Sequence, residues 1–202
     1  MATAGYTSEP TYGSEWWGSL ADNQHCINVT MPVDGRVTYI GCWLRGKDAS
    51  CSFKGAVWSN TRDSVLGQTG SQTASGAALA VGASLLYNSA VLSPFDVASG
   101  YVLYVGFCRN PTGAMQFGFN NSSPAHYDDY NASSNPSGMS GESSHSTRQI
   151  GMYITYETVP EVYLRRSSAW VQTSAVYVRR SSAWSTVGPD VYIRRSGAWV
   201  KA

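Results

Sequence analysis

A chain of 202 residues that is 43% hydrophobic, with 14 basic and 13 acidic side chains, holds the material for one ample core or two small ones and is not a disordered chain. Charged residues make up only 13%, whereas Ser, Thr and Gly supply 29, 14 and 20 residues; scarce helix formers and plentiful aromatic and β-branched residues predict an all-β protein. The net charge of +1 argues against nucleic acid as a partner, yet it divides unevenly: residues 1–161 carry 7 basic and 12 acidic side chains (−5), and residues 162–202 carry 7 basic and one acidic (+6).

Residues 1–20 are expected to form an N-terminal arm, in which Trp16 and Trp17 either anchor the arm or enter the core. The opening Met-Ala-Thr-Ala-Gly-Tyr-Thr has neither the basic nor the apolar region of a secretory leader. From there to residue 159, short strand candidates separated by turn signals predict a β-sandwich. The candidates are Gly35 to Arg45, Ser50 to Trp58, Ala77 to Tyr87, Tyr101 to Arg109, Met115 to Phe119 and Gln149 to Glu157. In the last, Ile150, Met152, Ile154 and Tyr156 alternate with Gln149, Gly151, Tyr153 and Thr155, the pattern of a half-buried strand. The longest largely apolar stretch, Ala77 to Tyr87, falls well short of the roughly 20 residues that cross a bilayer, so no membrane insertion is expected.

The cysteines are Cys26, Cys42, Cys51 and Cys108, with no C-x-x-C pair and no clustered histidine, so no metal site is expected. Cys42 and Cys51 flank a hairpin turn around Arg45 to Asp48, and alternation puts both on one face beside Ile40, Leu44 and Phe53. They are either buried thiols, as a reducing compartment favours, or a cross-strand disulfide. Asn120 to Thr147 is rich in Ser, Asn, Pro and Gly and nearly free of aliphatic side chains, and is expected to be a long surface excursion. Pro160 marks the domain boundary.

Residues 160–202 contain an internal repeat, Val162 to Val171, Val176 to Trp184 and Val191 to Val200, in units 162–175, 176–190 and 191–202. Each has a β-branched and aromatic run, a polar pair (Ser167-Ser168, Ser181-Ser182, Ser196-Gly197) and an Ala-Trp strand, which predicts three consecutive hairpins. With two-residue turns, Arg165 lies opposite Trp170, Leu164 opposite Val171, Arg194 opposite Trp199 and Ile193 opposite Val200. One face then offers Tyr163, Arg165 and Trp170, Tyr177, Arg179 and Trp184, and Tyr192, Arg194 and Trp199 as an assembly interface in which guanidinium stacks on indole. Lone hairpins of this size are marginal, so the three are expected to pack on one another, on the first domain or, the favoured reading, on other subunits.

The order Asp22-Asn23-Gln24-His25, Pro32-Val33-Asp34-Gly35-Arg36-Val37, Phe53 to Ser59, Val97 to Leu103 and Ile154-Thr155-Tyr156-Glu157 resembles the jelly-roll-like sandwich modules of bacteriophage virion proteins and some bacterial adhesins. The terminal Val-Tyr-hydrophobic-Arg-Arg-Ser-(Ser/Gly)-Ala-Trp is similar to hairpin repeats at the ends of phage tail and other virion proteins, with Ser-Ser replacing the usual Gly-containing turn in the first two copies. The resemblance implies a jelly-roll-like sandwich followed by an array of three hairpins, in a structural protein of a particle exterior assembled in the host cytoplasm. A minor tail protein is expected first, with a head decoration protein or a secreted or surface carbohydrate-binding adhesin as alternatives. Its implied partners are further copies of itself, a trimer among the options, other virion proteins and host-surface glycan.

His25, His126 and His145 are the only histidines; none sits in H-E-x-x-H, no Ser occupies a G-x-S-x-G elbow, and no Gly-rich phosphate loop is present, so neither catalysis nor a cofactor is expected. Tyr127, Asp128, Asp129 and Tyr130 form the candidate ligand segment, because tyrosine faces cover a pyranose while carboxylates accept its hydroxyls. The alternatives are calcium held by the carboxylates with Asn131, or a solvated loop whose tyrosines pack back on the sandwich.

Overall fold

A computed structural model describes residues 1–10, 12–17, 24–46, 51–74, 85–110, 115–121, 126–129, 135–139, 143–145, 148–158, 162–166, 169–173, 177–180, 183–186, 192–195 and 198–201. The chain is all-β, with no helix among the described residues, and divides into two compact units, Met1–Thr158 and Val159–Ala202.

The strands of the first unit are β1 (Ala2–Gly5), β2 (Tyr12–Trp17), β3 (Gln24–Thr30), β4 (Gly35–Gly46), β5 (Cys51–Trp58), β6 (Val65–Gln68), β7 (Gln72–Ala74), β8 (Leu85–Val97), β9 (Val102–Arg109), β10 (Met115–Asn121), β11 (His126–Asp129), β12 (Ser143–His145), β13 (Arg148–Ile150) and β14 (Met152–Thr158). They form two seven-stranded sheets, one ordered β1-β14-β4-β10-β13 with β2 on β10 and β8 on β4, the other β12-β11-β3-β9-β5-β6 with β7 on β5. A single interior cluster joins them in a sandwich-like arrangement: Ile27, Phe53, Val57, Leu103, Val105 and Phe107 of the second sheet lie with Val37, Ile40, Leu44, Phe117, Met152 and Ile154 of the first. Residues 1–20, expected as an arm, supply β1 and β2, which pair with β14 and β10; the side chains of Trp16 and Trp17 lie outside the described residues.

Three features of the sheets depart from the sequence pattern. In β4 the inward set switches from Val37 to Ile40, Cys42 and Leu44, because a bulge at Thr38 shifts the register by one against β14, and the Thr38 hydroxyl donates to the Thr155 carbonyl at 3.2 Å. The candidate Ala77 to Tyr87 lies mostly outside the described residues, and β8 continues to Val97, past Pro94. Proline is tolerated there because residues 91–94 leave the ladder with β4: Phe95 pairs with Val37 and Ala90 with Tyr39, while Val91 bridges instead to Thr69. The strand expected to be half-buried is instead two, β13 and β14, separated at Gly151, and β14 is buried on both faces from Met152 to Tyr156. Its outward Tyr153 lies over Gly41, where a Cβ would stand 2.2 Å from the ring, so the absence of a side chain on β4 makes the cover possible.

The expected Cys42/Cys51 hairpin is not formed: β4 and β5 belong to different sheets. Both side chains enter the interior, and all four cysteines are buried free thiols. Burial pushes the Cys42 thiol up to about 12, and raises that of Cys51 against a partial lowering by the Arg109 guanidinium.

In the second unit, β15 (Val162–Arg166) pairs with β16 (Ala169–Thr173), β17 (Tyr177–Arg180) with β18 (Ala183–Thr186) and β19 (Tyr192–Arg195) with β20 (Ala198–Lys201), as three two-stranded antiparallel ribbons.

Candidate functional site

The segment expected to lie on the surface from Asn120 to Thr147 contains β11, whose residues join the second sheet beside β3: His126 pairs with Ile27, Tyr127 with Cys26, Asp128 with His25 and Asp129 with Gln24. His126, Asp128 and Asp129 are buried and Tyr127 is half-buried; Tyr130 and Asn131 lie outside the described residues. Successive strand residues point to opposite faces, so Tyr127 goes outward while His126 and Asp128 go into the sandwich. Asp128 and Asp129 accordingly lie on opposite faces of β11, and of the candidate ligand segment Tyr127 keeps partial exposure.

On the outer face, Tyr127 meets Tyr104 edge-on at 5.3 Å between ring centroids, and the Arg62 guanidinium lies over both rings, at 4.5 Å from Tyr104 and 4.6 Å from Tyr127. Burial raises the Tyr104 hydroxyl, with Arg62 pulling the other way. Arg62 adopts a left-handed backbone (φ 63°) in a turn where the Asp63 carboxylate accepts from the Ser59 hydroxyl at 2.7 Å; hydrogen bonds from Thr61 and Ser59 hold this exposed carboxyl below its ordinary value.

Residues 135–139 cover the same face. Trp58 Nε1 donates to the Ser137 carbonyl at 2.7 Å, Ser137 N–H to Gln24 Oε1 at 2.8 Å, Met139 N–H to the Arg62 carbonyl at 2.8 Å, and Lys54 Nζ to Asn135 Oδ1. Met139 is thereby buried with Cys26, Ala56, Trp58 and Tyr104, its sulfur 3.4 Å from Cys26 Sγ.

On the inner face the fold assembles a cluster that the linear spacing hides. His25 of β3 meets His126 and Asp128 of β11, with the three candidate ligand atoms all within 4.8 Å of one another. His25 Nδ1 and His126 Nε2 are 3.0 Å apart, the tautomers deciding which ring donates. The rings of Phe107 and Phe117 lie 5.0 and 5.2 Å from that of His25, and Phe117 lies 5.4 Å from that of His126. The expectation of no clustered histidine is corrected accordingly: cross-strand pairing brings together residues 101 positions apart. The legible half of the signal was His126-Tyr127-Asp128, since residues two apart share one face of a strand.

The ribbon residues proposed for assembly stand in equivalent registers: Arg165 opposite Trp170, Arg179 opposite Trp184 and Arg194 opposite Trp199, with Tyr163 opposite Gln172, Tyr177 opposite Thr186 and Tyr192 opposite Lys201. Compared with known proteins, the chain matches no family model and no curated protein.

Proposed function

We propose that the chain is a non-enzymatic structural component of the exterior of a bacteriophage particle, most readily a minor tail protein, with a jelly-roll-like sandwich displayed and the hairpin array used for attachment or self-assembly. The observation that carries this reading is the triple recurrence of Arg opposite Trp in the three ribbons, on a repeat that resembles those ending phage virion proteins. A two-stranded ribbon of four or five residues a side buries too little to stand alone in water, so a repeat built three times over asks for covering surface from another chain. The charge division of −5 and +6 gives neighbouring copies a complementary pair of surfaces.

The reading is tested by removing residues 160–202. The truncated chain is expected to remain folded and monomeric by light scattering and to be missing from purified particles, while the full chain self-associates and is incorporated. Incorporation of the truncation at the full-length level refutes an attachment role for the array. Copy number per particle then separates a tail protein, in few copies at one end, from a head decoration protein, in many.

A further inference from the structure

We propose that His25, His126 and Asp128 bind one divalent transition-metal ion of the zinc type, closed inside the first unit and tying β11 to β3. Two imidazoles and a carboxylate are the donors such an ion takes, whereas calcium and magnesium demand six or more oxygens. The spacing suits it. Zinc–nitrogen bonds of about 2.0–2.1 Å set two ligand nitrogens about 3.3 Å apart on a tetrahedral edge, and His25 Nδ1 and His126 Nε2 already lie 3.0 Å apart. Asp128 is the direct cross-strand neighbour of His25, so all three donors sit on one rigid pair of strands rather than on loops.

The surroundings point the same way. Both histidines are 0% exposed and Asp128 is 1% exposed, beside Phe107 and Phe117 and within the layer that holds Ile27 and Val105. A divalent ion offsets the cost of carrying a carboxylate and two imidazoles into such a core. When it enters, the hydrogen between Nδ1 of His25 and Nε2 of His126 leaves that position, and each neutral ring carries its proton on its other nitrogen, Nε2 of His25 and Nδ1 of His126. Cys26 takes no part, because it faces the opposite side with Met139. Three protein ligands leave a fourth position, filled by a water or by the second carboxylate oxygen of Asp128, and the burial of all three side chains limits access to it. The site is independent of what the ribbons attach to.

The test uses the full chain and the metal alone. After purification, metal content is measured by mass spectrometry; the chain is then stripped with chelator and titrated with Zn²⁺, and with Co²⁺ followed by its visible ligand-field bands. About one equivalent per chain is expected, with a rise in Tm on adding Zn²⁺. Asp128→Asn and His126→Gln should each weaken binding by more than the roughly 100-fold that loss of an outer-shell partner costs. Absence of stoichiometric binding by the folded wild-type chain overturns the proposal, and so does unchanged affinity in both variants when circular dichroism shows them folded. If neither variant folds, the wild-type stoichiometry and Tm shift decide alone.

Discussion

Cys42 should be almost inert in the folded chain and should make the protein sensitive to alkali. Burial raises its pKa from 9.0 to about 12, so at pH 8 the folded state holds roughly a thousandfold less thiolate than an ordinary cysteine. Because the folded value lies above the unfolded one, the associated stability is fully present below about pH 9 and is lost as the pH rises toward 12, when only the unfolded chain ionises. For Cys42 alone the loss is about 1 kcal/mol between pH 9 and pH 10, and the raised Tyr104 and Tyr153 hydroxyls add to it with the same sign. Urea unfolding at pH 8, 9 and 10 on wild type and Cys42→Ala measures the difference: the wild type should lose its advantage over the variant as the pH rises. A chromogenic disulfide reagent at pH 8 should label nothing quickly in the native chain and four thiols in unfolded, unreduced chain. Parallel pH slopes for the two proteins, or fast native labelling of Cys42, would refute the burial argument; fewer than four thiols would refute the free-cysteine assignment.

Two further substitutions probe packing. Gly106→Ala places a Cβ 1.8 Å from the His25 carbonyl oxygen, where backbone faces backbone and neither strand can yield cheaply, so the loss should exceed the roughly 3 kcal/mol of ordinary overpacking in urea unfolding. Gly70→Ala, with open space around it, is the control and should stay within about 0.5 kcal/mol; similar values for the two would refute the close approach. Met139→Ala should cost about 2–3 kcal/mol, the lower end for a buried methionine, and shift the emission of Trp58, whose indole N–H is held by the same segment. A cost below about 0.5 kcal/mol would mean that residues 135–139 do not seal the sheet.

The strands β5 and β9 were legible because pattern and burial coincide: β9 runs Val-Leu-Tyr-Val-Gly-Phe-Cys and lies between β3 and β5 with cover on both faces. Elsewhere the local pattern had more than one solution. Strand, polar turn, strand is written the same way whether the second strand pairs with the first or crosses to the other sheet, and Cys42 and Cys51 took the second course. Tyr153 and Thr155 gave β14 a polar-looking face, yet Tyr153 is buried because Gly41 leaves its ring a seat that no residue in β14 announces. Proline marks an edge or a bulge as readily as an end, and β8 uses it inside such a bulge.

The hardest segment was also the most consequential. His126-Tyr127-Asp128-Asp129 lacks an aliphatic side chain, and composition alone assigns such a run to solvent. Its burial comes from its neighbours: the ladder to β3 satisfies the backbone, Tyr104 and Arg62 receive Tyr127 on one side, and His25 receives His126 and Asp128 on the other. The alternation that takes Asp128 away from Asp129 is the same alternation that sets Asp128 beside His126. A strand pairing changes which chemistry these four residues offer, from an exposed carboxylate pair to a buried nitrogen and oxygen donor set, and the metal titration distinguishes the two directly.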